Sequence, residues 1–421
     1  MKPASPGVAV LALLALAACQ QPSTSPTLAI AAAEATRPAS AGPPIAMPSL
    51  APDGGAIAHL KPAERPPISS DEAGLWLLSD KYEDQLRTSG SMVRDPALND
   101  YVKGVVCRLA GAYCGDIRVY LVRRPGMNAS MVPNGTMAVW TGLLLRARNE
   151  AQLATILAHE IGHYLRRHGV QAMRDARDKS AAALFFSVGF GVVGVPAAGD
   201  LVALGLVGSM YAFSRDNERE ADDIGIRIMA RAGYDPREAA KVWANLIAEV
   251  KNDEESKDRA IFFATHPERE ERLETLAALA ESLLPAVAEP RLGRAEHEAA
   301  IGPHRLGFLI DELQHRRYAR LEPLLGMLAA DGFRTGEVRY AEGEMYRLRG
   351  KEGDDAKALA AYEAAEVSGG APAELYRSAG LVRLRQGDRA KAVSAFARYL
   401  ELLPDATDRE MIRMMMAQPT S

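Results

Sequence analysis

Apolar residues recur every three or four positions over most of the chain, which predicts a mainly helical protein. One such segment follows Asn149, and its apolar face is formed by Leu153, Ile156, Leu157, Ile161 and Leu165. Asn149 can cap this helix, with Gln152 three residues further on. A helical pattern also begins near Ser70, and similar segments continue to Leu109. We therefore expect helices before and after residues 116–142.

Two segments between these helices have the β-branched and aromatic composition of short strands. They are DIRVYLVRR at 116–124 and TMAVWTG at 136–142, and the turn-like PNG at 133–135 precedes the second. A small sheet is thus expected before the helix that follows Asn149. The predicted fold class is α+β, predominantly α.

The C-terminal part has a period of 34 residues, which is the period of a tetratricopeptide repeat. The residues that match across this period are Gly353 with Gly387, Ala358 with Ala392, and Tyr362 with Phe396. Gly380 and Pro404 also fall at the spacing of that repeat's small and terminating positions. We expect all-α repeats over 335–421, a helical linker or degenerate repeat over 286–334, and a surface that binds a protein partner. Two amphipathic helical hairpins without repeat function are the alternative.

The N-terminus has the pattern of an export signal. A positive charge at Lys2 and an apolar run lead to the sequence LAAC, which ends at Cys19. This ending resembles a bacterial lipobox, which implies cleavage of residues 1–18 and acylation of Cys19. Because Gln20 follows where an aspartate would indicate inner-membrane retention, we expect a lipid anchor in the outer membrane, facing the periplasm. Residues 19–67, rich in Ala, Pro and Ser, then predict a disordered tether. An ordinary secretory signal with a chance cysteine is the alternative.

Composition, cysteine count and hydropathy narrow the possible partners and compartments. A formal net charge of −4 and arginines scattered along the helices provide no basic surface for nucleic acid.

The two remaining cysteines, Cys107 and Cys114, predict a disulfide in an oxidising compartment, with two buried thiols as the alternative. The apolar, glycine-interrupted residues 181–213 predict a buried or partly exposed helical hairpin rather than a transmembrane pair.

The candidate chemistry lies in the sequence HEIGH at 159–163. On a helix His159 and His163 share one face, so both can direct a ring nitrogen at a single metal ion. Glu160 lies beside them, where it can accept a proton from a zinc-bound water whose pKa the ion has lowered to about 7. The apolar neighbours would bury these polar groups, and burying them without a partner would be costly. His168, which follows two arginines, is expected to be solvated.

A catalytic zinc ion needs a third protein ligand. Glu218 and Asp222 are again four residues apart on a predicted helix that ends near Gly233. Glu218 could therefore bind the metal, while Asp222 accepts the outer N–H of a ligating histidine. Spacing alone leaves Glu220 and Asp223 open as ligands.

Four motifs together resemble those of the HtpX/BepA-type zinc metalloproteases, a gluzincin family. They are HExxH at 159–163, ExxAD at 218–222, the segment 128–144, and HPxxxxR at 266–272. The resemblance implies that Glu218, rather than its neighbours, completes the ligand set of one zinc ion per chain. It also implies that residues 128–144 border an active-site cleft and pair with extended substrate. His266 and Arg272 would stabilise an oxyanion or control access to the metal.

The resemblance implies a zinc metalloprotease domain over residues 68–285, followed by the repeats. A signal-anchored domain of this kind most resembles the BepA-type members, which implies an endopeptidase of the bacterial envelope. Its substrates would be peptides and misfolded or stalled envelope and outer-membrane proteins, and the repeats would bind an envelope protein partner. The alternative is a latent or non-proteolytic chaperone or assembly factor with mainly structural zinc, in which His266 occupies the open metal position.

Overall fold

The computed structural model describes residues 45–47, 61–178, 213–251, 266 and 269–417 of the 421 residues. The predicted signal sequence, Cys19 and most of the apolar segment, residues 181–212, lie outside these ranges. Within them, no helix is both long and apolar enough to cross a membrane.

The described residues form helices around one small sheet, as predicted for an α+β, predominantly α fold. Helices α1 (Glu72–Thr88) and α2 (Pro96–Ala110) precede the strands β1 (Arg118–Val122), β2 (Ala129–Met131) and β3 (Thr136–Trp140). The sheet is followed by α3 (Thr141–Arg146), α4 (Glu150–Leu165), α5 (His168–Asp178), α6 (Arg215–Arg231), α7 (Arg237–Val250) and α8 (Arg269–Leu283). The remaining helices are α9 (Arg294–Ile301), α10 (Arg305–Gln314), α11 (Tyr318–Ala330), α12 (Thr335–Arg349), α13 (Asp354–Ser368), α14 (Glu374–Arg385), α15 (Arg389–Leu402) and α16 (Arg409–Ala417).

The sheet has β3 in the middle, with β1 parallel to it and β2 antiparallel. Strands β1 and β3 are the two that the composition predicts. Leu121 of β1 is paired with Val139 of β3, and Ser130 of β2 with Ala138. All of β3 is buried, and β2 is an edge strand of the described sheet. The segment 128–144 thus contributes two strands to the sheet and leads into α3.

Helix α4 runs through the core of the protein. Asn149 caps it as predicted, because its side chain accepts a hydrogen bond from the backbone N–H of Gln152 at 2.9 Å. The apolar face of α4 is almost fully buried. The buried apolar cluster that surrounds it extends from Leu98 in α2 to Val382 in α14. The core therefore continues from the helices around the sheet into the C-terminal helices.

Two glycines allow helices α4 and α6 to pack backbone against backbone. A Cβ atom at Gly225 would lie 2.9 Å from the backbone nitrogen of His159. One at Gly162 would lie 2.9 Å from the carbonyl oxygen of Ala221. Neither glycine tolerates a side chain unless the two helices separate. The close crossing brings the acidic side chains of α6 against the two histidines of α4.

We expect Gly225→Ala to destabilise the protein by about 1–3 kcal/mol, since an added methyl in a fully packed contact forces the helices apart. On helix propensity alone, the same change would stabilise by up to about 1 kcal/mol. Gly104→Ala is the matched control, because a Cβ there meets only the end of the Arg108 side chain, at 3.7 Å. Urea unfolding of the two variants should therefore give free-energy changes of opposite sign. Equal changes would show that the α4–α6 contact is not tight.

Two C-terminal helix pairs repeat one packing arrangement. In the pair α12–α13, a Cβ at Gly343 would overlap the ring of Tyr362. In the pair α14–α15, a Cβ at Gly380 would lie 2.5 Å from the ring of Phe396. Tyr362 and Phe396 are the aromatic positions of the 34-residue period. The repeat assignment stays a prediction, and this shared packing favours it.

Ion pairs attach the helices of 286–334 to the region of the sheet. The guanidinium group of Arg123, just after β1, donates hydrogen bonds of 2.8 and 2.9 Å to Asp311 in α10. Arg146 at the end of α3 is paired with both Glu312 and Glu249 and is almost fully buried. These helices are therefore packed against the rest of the described chain.

Two features near the N-terminal side add covalent and polar contacts. Cys107 and Cys114 form a disulfide that joins α2 to the 3₁₀ turn after it. Within the predicted tether, Ile45 and Met47 contact the core. Arg227 of α6 donates a hydrogen bond of 3.1 Å to the carbonyl oxygen between them. This short part of residues 19–67 thus lies against the folded domain.

Candidate metal centre

Four buried side chains converge where α4 crosses α6. His159 and His163 come from α4, Glu218 from α6, and His266 from a segment before α8. One potential ligand atom from each lies within 4.8 Å of the other three. Among the described residues this is the group whose donors are arranged to hold a metal ion.

The distances between these donors are short. The Nε2 atoms of His159 and His163 are 3.0 Å apart, and Nδ1 of His266 is 3.2 Å from Nε2 of His159. The Glu218 carboxylate lies 3.3 Å from Nε2 of His163 and 2.9 Å from Nδ1 of His266. Three imidazole nitrogens and a carboxylate oxygen match the donors that zinc prefers. The site therefore fits a single metal ion.

The electrostatics of the site favour the protonation states that metal binding requires. Burial, reinforced by the charge of Arg272, lowers the pKa of His159, and burial holds the pKa of His163 well below its usual range. Both rings are therefore neutral near pH 7 and carry a free lone pair. Burial opposes ionisation of Glu218, but the charge of His266 and the contacts with His266 and His163 outweigh it and lower the Glu218 pKa.

A second layer of contacts orients His159 and Glu218. Asp222 lies 2.9 Å from Nδ1 of His159, the nitrogen that faces away from the cluster. The guanidinium group of Arg272 donates to Asp222 at 2.8 and 2.6 Å and to Glu218 at 2.9 Å. It also stacks over the Trp243 ring, 3.9 Å from its centroid. Burial would raise the pKa of Asp222, but Arg272 outweighs this and lowers it.

Glu160 differs from its acidic neighbours in having few partners. It is 2% exposed, and among the described residues its Oε1 atom has no hydrogen-bond partner. That oxygen lies 3.5 Å from Nε2 of His266, beside the four donors. Burial raises the pKa of Glu160 to about 7, although the charge of His266 acts in the opposite direction. A carboxyl group with this pKa can both accept and donate a proton near neutral pH.

The prediction that His168 is solvated is wrong. His168 is fully buried, its Nδ1 lies 2.8 Å from Nδ1 of His163, and its Nε2 lies 2.9 Å from the Glu220 carboxylate. The reason is a turn between α4 and α5, where Arg167 adopts a left-handed conformation with φ of 55° and directs the next residue inward. The RRH sequence gives no sign of this turn, because arginine rarely adopts that conformation.

The two acidic residues that spacing left open as ligands have other partners. Glu220 contacts His168 and also lies 2.7 Å from Nε of Arg166. Asp223 accepts a hydrogen bond of 2.8 Å from Arg227, one turn further along α6. Of the acidic side chains on α6, it is Glu218 that joins the three histidines.

The proteins that this chain resembles include metallopeptidases, which agrees with a metal-binding arrangement of these side chains. A model of peptidase family M48 matches residues 93–280. Over 221 residues, 50% of this chain and 45% of the relative, the sequence is 29% identical to the beta-barrel assembly-enhancing protease of Escherichia coli strain K12. Over 160 residues, 38% of this chain and 30% of the relative, it is 33% identical to the mitochondrial metalloendopeptidase OMA1 of Arabidopsis thaliana. The chain matches about half the length of the first of these relatives.

Proposed function

We propose that the protein, whose residues 93–280 match a model of peptidase family M48, is a zinc-dependent endopeptidase of the bacterial cell envelope. The observation that carries the proposal is the convergence of His159, His163 and Glu218 beside the buried carboxyl group of Glu160. We assign the first three residues as the ligands of one zinc ion. Glu160 is the general base and acid.

The chemistry follows from the positions of these groups. A bound zinc ion would lower the pKa of a coordinated water molecule and polarise the carbonyl group of the substrate. Glu160 accepts the proton of the attacking water through the oxygen that faces the donors, and it then donates this proton to the leaving amine. Asp222 accepts the hydrogen bond from the Nδ1–H group of His159 and so leaves the lone pair of Nε2 available to bind the metal.

Arg272 and His266 have different tasks in this scheme. Because Arg272 is paired with Asp222 and Glu218 and stacked on Trp243, we assign it to holding these carboxylates rather than to binding an oxyanion. His266 is close enough to Glu160 to stabilise a negatively charged intermediate or to control access to the metal.

The substrates and location are proposed on the relatives and on the sequence. One relative is named as a beta-barrel assembly-enhancing protease, and another as a mitochondrial metalloendopeptidase. We propose that this protein cleaves misfolded or stalled envelope and outer-membrane proteins. Acylated Cys19 would anchor it to the outer membrane, facing the periplasm, with residues 19–67 as a tether. The helix pairs of 335–421 would bind an envelope protein.

One observation favours a second candidate function. Nδ1 of His266 lies within the donor set itself, 2.9 Å from Glu218 and 3.2 Å from His159. A histidine in this position can fill the coordination site that a substrate carbonyl needs. The protein would then be a latent peptidase, or a chaperone or assembly factor with mainly structural zinc.

Casein cleavage by the mature protein tests these functions. We expect the zinc-loaded wild type to cleave casein, a chelator to abolish cleavage, and added zinc to restore it, because zinc lowers the pKa of the attacking water. His266→Ala separates the alternatives. If the zinc-loaded wild type is inactive and His266→Ala cleaves, the site is latent. If neither cleaves with stoichiometric zinc bound, the endopeptidase proposal fails.

A further inference from the structure

We propose that His168 is a positioning residue that holds the ring of His163 in its metal-binding orientation, and that Glu220 holds His168 in turn. This inference rests on the proposed function, since it concerns a ligand of the proposed zinc site. His168 lies outside the motifs that identify the site, and Glu220 occupies an unspecified position of the ExxAD motif. The inference is carried by the buried chain of contacts from His163 through His168 to Glu220.

The chain of contacts specifies where each ring carries its proton. Nε2 of His163 faces His159 and Glu218, so it is the metal-binding nitrogen and Nδ1 carries the proton. The only atom that the described residues place within hydrogen-bonding distance of this Nδ1–H is Nδ1 of His168, at 2.8 Å. Nδ1 of His168 must therefore accept, which places its own proton on Nε2. That proton is donated to Glu220 at 2.9 Å.

The backbone and its neighbours hold this arrangement in place. Helix α4 ends at Leu165 and α5 begins at His168, so the left-handed Arg167 turns His168 back toward the preceding turn of α4. The side chain of Arg167 is paired with the buried Glu72 of α1. Phe213 stacks on the face of the His163 ring with a centroid distance of 4.0 Å. The ring is thus held on one face by Phe213 and at its outer edge by His168.

The two histidine ligands of α4 are supported in parallel ways. His159 donates directly to the carboxylate of Asp222, which is paired with Arg272. His163 reaches a carboxylate through one intervening imidazole, and this carboxylate, Glu220, is paired with Arg166. Outer contacts of this kind fix the orientation and raise the basicity of a ligating histidine. The sequence of α6 therefore supplies one ligand and both supporting carboxylates within five residues.

Two substitutions of His168 separate positioning from packing. His168→Leu fills the space but offers no acceptor to His163, whereas His168→Asn has an amide oxygen close to the position of Nδ1. We expect zinc affinity, measured by competition with a chelator, to fall about 10- to 100-fold in His168→Leu, the range typical of lost outer contacts. In His168→Asn it should stay within a few-fold of the wild type.

A packing role predicts the reverse order, because leucine fills the buried site better than the smaller polar asparagine. The unfolding temperature of each zinc-free variant reports that contribution separately. If zinc affinity follows the zinc-free unfolding temperature across the variants, or if His168→Leu binds zinc as tightly as the wild type, the inference fails. If the wild type itself binds no zinc, the proposed function fails and this inference with it.

Glu220→Gln tests the outer end of the chain, and Asp223→Asn is its matched control. The two carboxylates lie on the same helix with similar side-chain exposure, 33% and 35%, but Asp223 contacts Arg227 instead of His168. We expect Glu220→Gln to weaken zinc binding about tenfold and Asp223→Asn to leave it unchanged. Equal affinities in the two variants would remove Glu220 from the proposal.

Discussion

Glu160→Gln is expected to lower casein cleavage by about 10²- to 10⁴-fold while the protein retains its zinc, since general acid–base catalysis contributes in this range. Glutamine has the shape of glutamate but cannot accept the proton of the attacking water. Burial already raises the pKa of Glu160 to about 7, so part of the wild-type population is neutral at this position near neutral pH. The amide should therefore cost little stability.

The comparison is made on wild type and variant with equal zinc content, in the His266→Ala background if the site proves latent. The unfolding temperature of each protein is measured in parallel, so that a loss of activity is not mistaken for unfolding. A Glu160→Gln variant that keeps more than a tenth of the wild-type rate would show that the proton is transferred by another group. Loss of zinc from this variant would instead make Glu160 a ligand.

Glu218→Gln is expected to have a larger effect on metal binding. It removes the charge of the proposed ligand that lies between His163 and His266, so zinc affinity should fall by more than the roughly 100-fold that marks the upper range for outer contacts. Cleavage should disappear with the metal. Because the variant also breaks a buried ion pair to Arg272, we expect a loss of roughly 3 kcal/mol in stability.

Glu271→Gln serves as the control for Glu218→Gln. Glu271 is a carboxylate of α8 that is paired with Arg219 at 2.9 Å on the surface, with its side chain 55% exposed. Exposed ion pairs of this kind contribute little to the free energy of unfolding. The zinc content, the cleavage rate and the stability of this variant should therefore match the wild type. A Glu218→Gln protein that retains one zinc ion and full activity would exclude Glu218 as a ligand.

Local sequence signals were sufficient for much of the fold and for the centre of the site. The cap at Asn149 and the apolar face after it depend on residues of a single helix, and both are present as predicted. The spacing of His159 and His163 places them on one face of any helix. Strands β1 and β3 also follow their own composition. In each case the interactions that decide the outcome are close in sequence.

The sequence did not predict features that depend on contacts between distant segments. The close crossing of α4 and α6 depends on Gly162 and Gly225, which lack a side chain and so give no hydrophobic pattern. The burial of His168 follows from the backbone conformation of Arg167, and its partner Glu220 is 52 residues away. The contact of Ile45 and Met47 with the core was likewise not predicted, because the Ala- and Pro-rich composition around them is typical of a disordered segment.

Anomalous diffraction at the zinc edge, from crystals of the wild-type protein grown with one equivalent of zinc, tests the proposed metal site most directly. We expect a single strong peak about 2.0–2.2 Å from Nε2 of His159, Nε2 of His163 and a carboxylate oxygen of Glu218. If a ring nitrogen of His266 also lies within about 2.0–2.2 Å of the zinc peak, the protein is in the latent form. A zinc peak at another place in the molecule, with these side chains away from it, would contradict the account.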